Sequence, residues 1–379
     1  MSHADTPVAG TPAPDETPQK LLDLSTLYPL LIAGVLVLGV VIWQLFLIFE
    51  TQRWHDGEVP SPAASNWFDL NTLTVPLHLV RTHNLGIDGL KPLNDPLPLG
   101  PQAHATLRRN LVVNFDRVVG VVINGEARCY PLRILAWHEV ANDQLGGVPI
   151  AVTYCPLTDS VRVYEREHDG EERSFRFSGL VYNSNTVLYD SHVSSDDRTL
   201  WRQIDGVAIG GPGAAKGWKL KTHSALLLPY GEWKEMHPDT TVIDGYDLLY
   251  RKCYGKRPYD TYYQGEKLLY PLEPAPDETE RRAFTRTLIV SAAEEKKRFF
   301  LPELLARSEP SPLRTEVGGV PIEVHYSNRP RCVWVTASTG TNNPSTNNQS
   351  TNEPGASDFD TWVGYWFAVQ TLDSPPAKK

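Results

Sequence analysis

GGVPIAVTYCPLTDSVRVYE at 146–165 and GGVPIEVHYSNRPRCVWVTA at 318–337 align without a gap, with roughly half of their positions identical. Self-similarity of this degree within one chain marks a repeated structural unit. In each copy a Gly-Gly turn leads into a run rich in Val, Ile and Tyr, the composition of a buried strand. The likeness extends both ways. Upstream, VVGVVINGEARCYPLRIL echoes TLIVSAAEEKKRFFLPELL; downstream, LPYGEWKEMHPDT loosely echoes VGYWFAVQTLDSP. The pattern predicts an internally duplicated, β-rich α+β fold.

Local signals support that reading. Asn124-Gly125 between two apolar runs is a strong short-range hairpin signal. Pro131 opens LRILAWHEVAN, where Ile134, Leu135, Trp137 and Val140 fall at helical spacing. CPLTDS reads as a turn between VPIAVTY and the returning strand VRVYER, and RSFRFSG and TVLYDS read as further strands. The expected organisation is a Pro-rich tail (1–23) too polar to fold, an apolar helix (24–49), and an extended lead-in (50–110) outside the core. A first copy (111–250), a Tyr- and Pro-rich connector (251–283) and a degenerate second copy (284–375) follow. The second copy is interrupted by a polar low-complexity loop (338–357).

No charged residue occurs from Leu24 to Phe49. About 20 apolar residues suffice to cross a bilayer as a helix, so this segment is expected to be a transmembrane anchor. A cleaved signal peptide fits less well, because the flank before it is acidic and no small-residue cleavage site follows directly. Lys20 precedes the span and Arg53 follows it, so the positive-inside rule comes out nearly even. The short tail is easy to retain, which makes this a single-pass inner-membrane protein with its C-terminal domain periplasmic.

Lys and Arg number 36 against 45 Asp and Glu, a net charge of -9. That balance argues against a nucleic-acid partner, which needs a basic excess. The cysteines, at 129, 155, 253 and 332, form no CxxC pair. They lack zinc-knuckle spacing and disulfide-scaffold density, although one or two disulfides stay open. There is no P-loop, dinucleotide fingerprint, HExxH or GxSxG. GGPGAAKG at 210–217 lacks the Gly-Lys-Ser/Thr ending of a phosphate loop.

A duplication provides its own control. Gly-Gly-Val-Pro-Ile is shared and therefore architectural, whereas His138, Glu139, Cys155 and Asp159 occur in the first copy alone. Ser327 stands opposite Cys155, and Asn328 opposite Pro156.

YPLRILAWHEVANDQLGGVPIAVTYCPLTDSVRVYER, SGLVYNSNTVLYDS, LWRQIDGVAIGG and EWKEMHPDT, preceded by LGIDGLKPLND, together resemble the DUF3179 family of bacteria and archaea. The likeness runs over most of residues 80–375 and weakens across the second copy. It implies an exported domain, since members typically carry secretion signals or anchors. The family often reads CPLC where this chain reads CPLT. Thr158 in place of the second cysteine removes any dithiol or two-thiolate role.

Three chemistries fit these residues. Cys155 and His138, with His237 or His192 as a further ligand and Glu139 or Asp159 nearby, would suit copper or zinc. Alternatively, Cys155 is a catalytic thiol with His138 as base and Glu139 beside it. The third is a binding module without turnover, taking a small-molecule or protein partner. Its pocket would draw on Trp137, Tyr182, Asn183, Trp201 and Gln203, with Tyr154, Trp233 and Asn185 as neighbours. Against the first two stands the plain role of free cysteine as a small buried hydrophobe. Against the third stands the tendency of aromatics in β-rich folds to be core.

Overall fold

Leu24–Gln52 form one α-helix, α1, of 29 residues. At 1.5 Å per residue it is roughly 43 Å long, more than a bilayer's hydrocarbon core. Pro29 sits in its second turn, and its described side chains from Ile32 to Gln44 are exposed. That described run is shorter than a span, and among the described residues no helix is long and apolar enough to cross a membrane. The computed structural model describes residues 24–52, 59–60, 67–102, 112–191, 198–245, 250, 253–279, 281–338 and 359–373. The Pro-rich tail, His192 and nearly all of the polar loop lie outside them. Contacts divide the chain into two units, Met1–Arg53 and Trp54–Lys379.

In the second unit the segment expected to be a lead-in outside the core is packed. Its strands β1 (Val80–Thr82), β2 (Leu93–Asn94) and β3 (Leu97–Leu99) each add an edge to a different sheet. Phe68, Leu70, Leu73, Val75 and Leu79 are buried in one cluster with Leu180, Tyr182, Val187 and Leu200. Proline there marks edge strands rather than absence of structure, because an edge position needs no N–H from Pro98.

The first stretch runs β4 (Arg117–Ile123), β5 (Glu126–Pro131), α2 (Leu132–His138), β6 (Val140–Leu145), β7 (Val148–Cys155) and β8 (Ser160–Glu165). Asn124 (φ 49°) and Gly125 (φ 81°) close the β4–β5 hairpin in the left-handed region, as a two-residue primed turn requires. Next come the small ribbon β9 (Glu167–His168) and β10 (Glu171–Glu172), then β11 (Ser174–Tyr182), β12 (Asn185–Ser191), β13 (Leu200–Arg202), β14 (Ala208–Gly210) and a short α3 (Gly211–Ala215). Strands β15 (Thr222–His223) and β16 (Leu226–Pro229), helix α4 (Tyr230–Met236), β17 (Thr241–Asp244) and α5 (Asp260–Gly265) complete this half.

The second stretch repeats that opening order. It runs β18 (Arg286–Ala292), β19 (Glu295–Phe300), α6 (Leu301–Leu305), β20 (Leu313–Val317), β21 (Val320–Asn328), β22 (Arg331–Ala337), β23 (Asp360–Tyr365) and α7 (Trp366–Asp373). β4–β5 and β18–β19 are antiparallel hairpins; β6–β7–β8 and β20–β21–β22 are antiparallel meanders. The turns agree in detail. Gly146 and Gly318 both have φ 55°, and their N–H groups donate to Glu126 Oε2 (3.0 Å) and Glu295 Oε2 (2.6 Å). The loosest sequence echo carries the same topology: β16 pairs with β4 and runs into α4, as β23 pairs with β18 and runs into α7. Between β8 and β16 the first stretch contains β9–β15, where the second has only the segment from 338 to 359.

Among the described residues, β-structure dominates in five sheets of three to five strands, a propeller-like arrangement of five blades, with the β9–β10 ribbon besides. The blades are β3–β17–β5–β4–β16, β2–β6–β7–β8–β15, β1–β11–β12–β13–β14, β19–β18–β23 and β20–β21–β22. The two stretches do not form separate halves. Val119, Ile134 and Ile150 of the first share one buried cluster with Leu288, Leu301 and Val324 of the second. The packing is interleaved, with β16 against β22 and β23 against β8. Cys332 Sγ donates to Leu227 O (2.9 Å), and Tyr365 N donates to Thr158 O (2.8 Å) across those seams.

Candidate functional site

Helix α2 ends against the end of β7. Its C-cap, Glu139, is in the left-handed conformation (φ 56°) and donates its N–H to Leu135 O (2.7 Å). Its carbonyl accepts the Tyr154 N–H at 2.8 Å, so the helix end is clipped one residue before Cys155. Left-handed backbone is unfavourable for a residue with a Cβ, and such strain concentrates at functional positions.

The Glu139 side chain turns inward. Its Oε2 accepts the Thr186 hydroxyl (2.9 Å) and its Oε1 accepts the Tyr259 hydroxyl (3.3 Å). Burial pushes this carboxyl up to about 8, against the smaller opposing pull of those two donors. Burial thus favours the carboxylic acid over the carboxylate. The same Thr186 reaches Cys155: its hydroxyl lies 3.3 Å and its N–H 3.4 Å from Sγ. Burial, reinforced by Glu139, raises the Cys155 thiol above its ordinary value. A sealed, protonated thiol is a poor nucleophile. Tyr259 and Tyr270 pack around it, so the segment expected to be a connector supplies the walls of this site.

His138 is adjacent in sequence but engaged elsewhere. Its Nδ1 lies 2.6 Å from Lys91 O and its Nε2 2.6 Å from Tyr254 OH, with the Tyr250 ring 4.7 Å away. Both ring nitrogens have partners outside the Glu139–Thr186–Cys155 set. His237 caps the end of α4, its ring 4.1 Å from that of Trp233. The expected copper or zinc set of Cys155, His138 and His237 therefore does not assemble. Among the described residues no group of three or more His, Cys, Asp or Glu is placed to hold a metal ion. All four cysteines are free thiols, three of them buried.

The expected aromatic pocket is core. Trp201 is buried among Phe175, Trp218 and His168. Tyr182 ends β11 in the cluster under β1, and Trp137 packs against the main core beside Tyr250. Asn183 exchanges hydrogen bonds with the Glu273 backbone (2.9 and 2.7 Å). Gln203 is saturated: its Oε1 accepts from Ser160 (2.9 Å) and Asn185 (3.0 Å), and its Nε2 donates to Thr153 (3.0 Å). Thr158, which stands where relatives often have cysteine, joins this network through Ser160 (2.7 Å) and Asn185 (3.1 Å). A satisfied polar network of this kind fixes one packing.

On the other side of Tyr259 lies a cleft of about 290 Å³. Tyr154, Tyr259, Tyr263, Leu132 and Ala136 line one part and the exposed Phe115 another. Arg117 and Arg286 also line it, and their guanidinium groups meet on Asp159, whose side chain is 0% exposed. Arg117 holds both carboxylate oxygens at 2.9 Å, Arg286 Nε donates to Oδ2, and Tyr154 OH donates to Oδ1 (3.0 Å). Burial alone would raise the Asp159 carboxyl, but the two arginines outweigh it and hold it below the usual range. Asp159 stands out in the sequence as peculiar to the first copy, whereas nothing in their immediate surroundings marks the two arginines. The repeat carries their signal, because extending the upstream alignment by one residue puts Arg117 opposite Arg286.

A five-bladed β-rich unit with a buried acid–thiol pair behind a tyrosine wall, and an arginine-floored cleft before it, defines the class. The chain belongs to the DUF3179 family, described as "protein of unknown function", whose model matches residues 101–370. No curated protein and no solved structure matches the chain.

Proposed function

We propose that this is a membrane-anchored, extracytoplasmic binding protein whose cleft before Tyr259 takes a small molecule. One observation carries the reading: the cleft of about 290 Å³ is walled by tyrosines and floored by charged groups from both repeated stretches. Ligand pockets typically start near this size and combine an apolar lining with a few placed polar groups. The anchor is supported by the helical backbone of α1, whose sequence carries no charge from Leu24 to Phe49. The exported character that the family resemblance implies supports the periplasmic side.

The test is native mass spectrometry of the full chain in detergent against a panel of small metabolites. A one-to-one adduct is expected, lost when Ala136→Trp fills the cleft while the melting temperature holds. Absence of any adduct across the panel, or an adduct indifferent to Ala136→Trp, contradicts the reading.

A second reading, a thiol-dependent site, is favoured by the Thr186 hydroxyl lying within reach of both Glu139 and Cys155. It requires Tyr259 to swing aside and the thiol to ionise against burial.

A further inference from the structure

We propose that the group recognised in the cleft is an oxyanion, a carboxylate or phosphate, bound on Arg117 and Arg286. This rests on the cleft being a binding site and adds the chemistry of what it holds. Charge is the first argument. Among the described residues the lining carries six cationic side chains and two acidic ones, within a chain of net charge -9. Of the two acids, Asp116 is paired with Arg133 at 3.3 Å. A basic concavity in an acidic protein concentrates anions there.

The floor is the second argument. Two guanidinium groups share one carboxylate, so one positive charge is left unbalanced on side chains only 16% and 17% exposed. Holding such a charge away from water is costly without a counter-ion. A purely structural clasp would be completed by an acid from the second stretch, yet the aligned position opposite Asp159 is another arginine, Arg331, which also lines the cleft. The Asp159 oxygens are already filled by Arg117, Arg286 and Tyr154. Arg286 Nη1 also donates to Arg331 O (3.1 Å), and guanidinium N–H groups not used in these bonds are of the kind that carboxylate and phosphate accept from.

The experiment is calorimetric titration of the full chain in detergent at low salt with inorganic phosphate, with succinate, and with neutral succinamide. At least one oxyanion is expected to bind one-to-one, weakening as salt rises. Arg286→Lys should lower its affinity roughly tenfold or more, the scale of one charge-assisted hydrogen bond. Arg331→Ser, at an exposed position, should lower it too and does not threaten the fold. Failure of both oxyanions to bind, or affinity unchanged in both variants, overturns the inference. Succinamide binding as well as succinate also overturns it, while leaving the cleft a binding site.

Discussion

Arg117 and Arg286 occupy the first position of matching strands in two repeated hairpins, and both close on the carboxylate of Asp159. The repeat thus builds a site that neither copy has alone.

Asp159→Asn leaves two half-buried arginines without a counter-ion and should destabilise the chain by about 3 kcal/mol. The native carboxyl is held below its usual range. Its contribution is therefore complete above the unfolded value near 4 and fades as pH falls through the lower folded value. Urea unfolding from neutral pH downward should show that loss in the parent and a weaker acid dependence in the variant. Equal stability of the two at neutral pH contradicts this.

Glu139 has the opposite sign. Its folded carboxyl lies at about 8. Between the unfolded value of about 4.3 and that point, the unfolded chain releases a proton that the folded chain keeps, so stability falls as pH rises through the window. Glu139→Gln should flatten that decline and be the more stable form at pH 8, by about 1–3 kcal/mol. A parent whose stability is level from pH 5 to 8 would show that Glu139 is ionised in the fold.

Burial assigns the thiols an order of reactivity. Cys253 is partly exposed, whereas Cys129, Cys155 and Cys332 are buried. Iodoacetamide labelling followed by peptide mass spectrometry should modify Cys253 first and Cys155 only on unfolding. Rapid labelling of Cys155 in the native chain would revive the catalytic-thiol reading.

Gly146 and Gly318 share φ 55°, and a Cβ on either would overlap a backbone carbonyl, of Ile123 and Ala292 respectively. Alanine at either site should cost about 2–4 kcal/mol by denaturant titration, combining left-handed strain with the clash. Similar losses are expected because the turns match; a neutral Gly318→Ala would show that the second turn relaxes.

How much of the molecule is legible in its sequence depends on range. The hairpin at Asn124-Gly125 and the Gly-Gly turns are local chemistry, readable because so few residues accept left-handed backbone. The repeat is legible as identity, and through it the matched elements. The interleaving of β16 with β22 is not, since nothing in a strand's composition says which neighbour it meets. The site is half legible. Glu139, Cys155 and Asp159 stand out as peculiar to one copy, but proximity in sequence wrongly pairs His138 with Cys155. The turn at Glu139 sends the two side chains to different partners. Tyr259 and Tyr270 escape notice because a Tyr- and Pro-rich segment reads as a linker until its rings are seen packed around Cys155.

The central claim is that function resides in the cleft and not at the thiol. It is tested most directly by titrating succinate and phosphate into the full-length parent, Cys155→Ala and Ala136→Trp side by side. The account predicts that Cys155→Ala binds as the parent does and that Ala136→Trp does not bind. Binding lost in Cys155→Ala and kept in Ala136→Trp, with both variants folded, would contradict it.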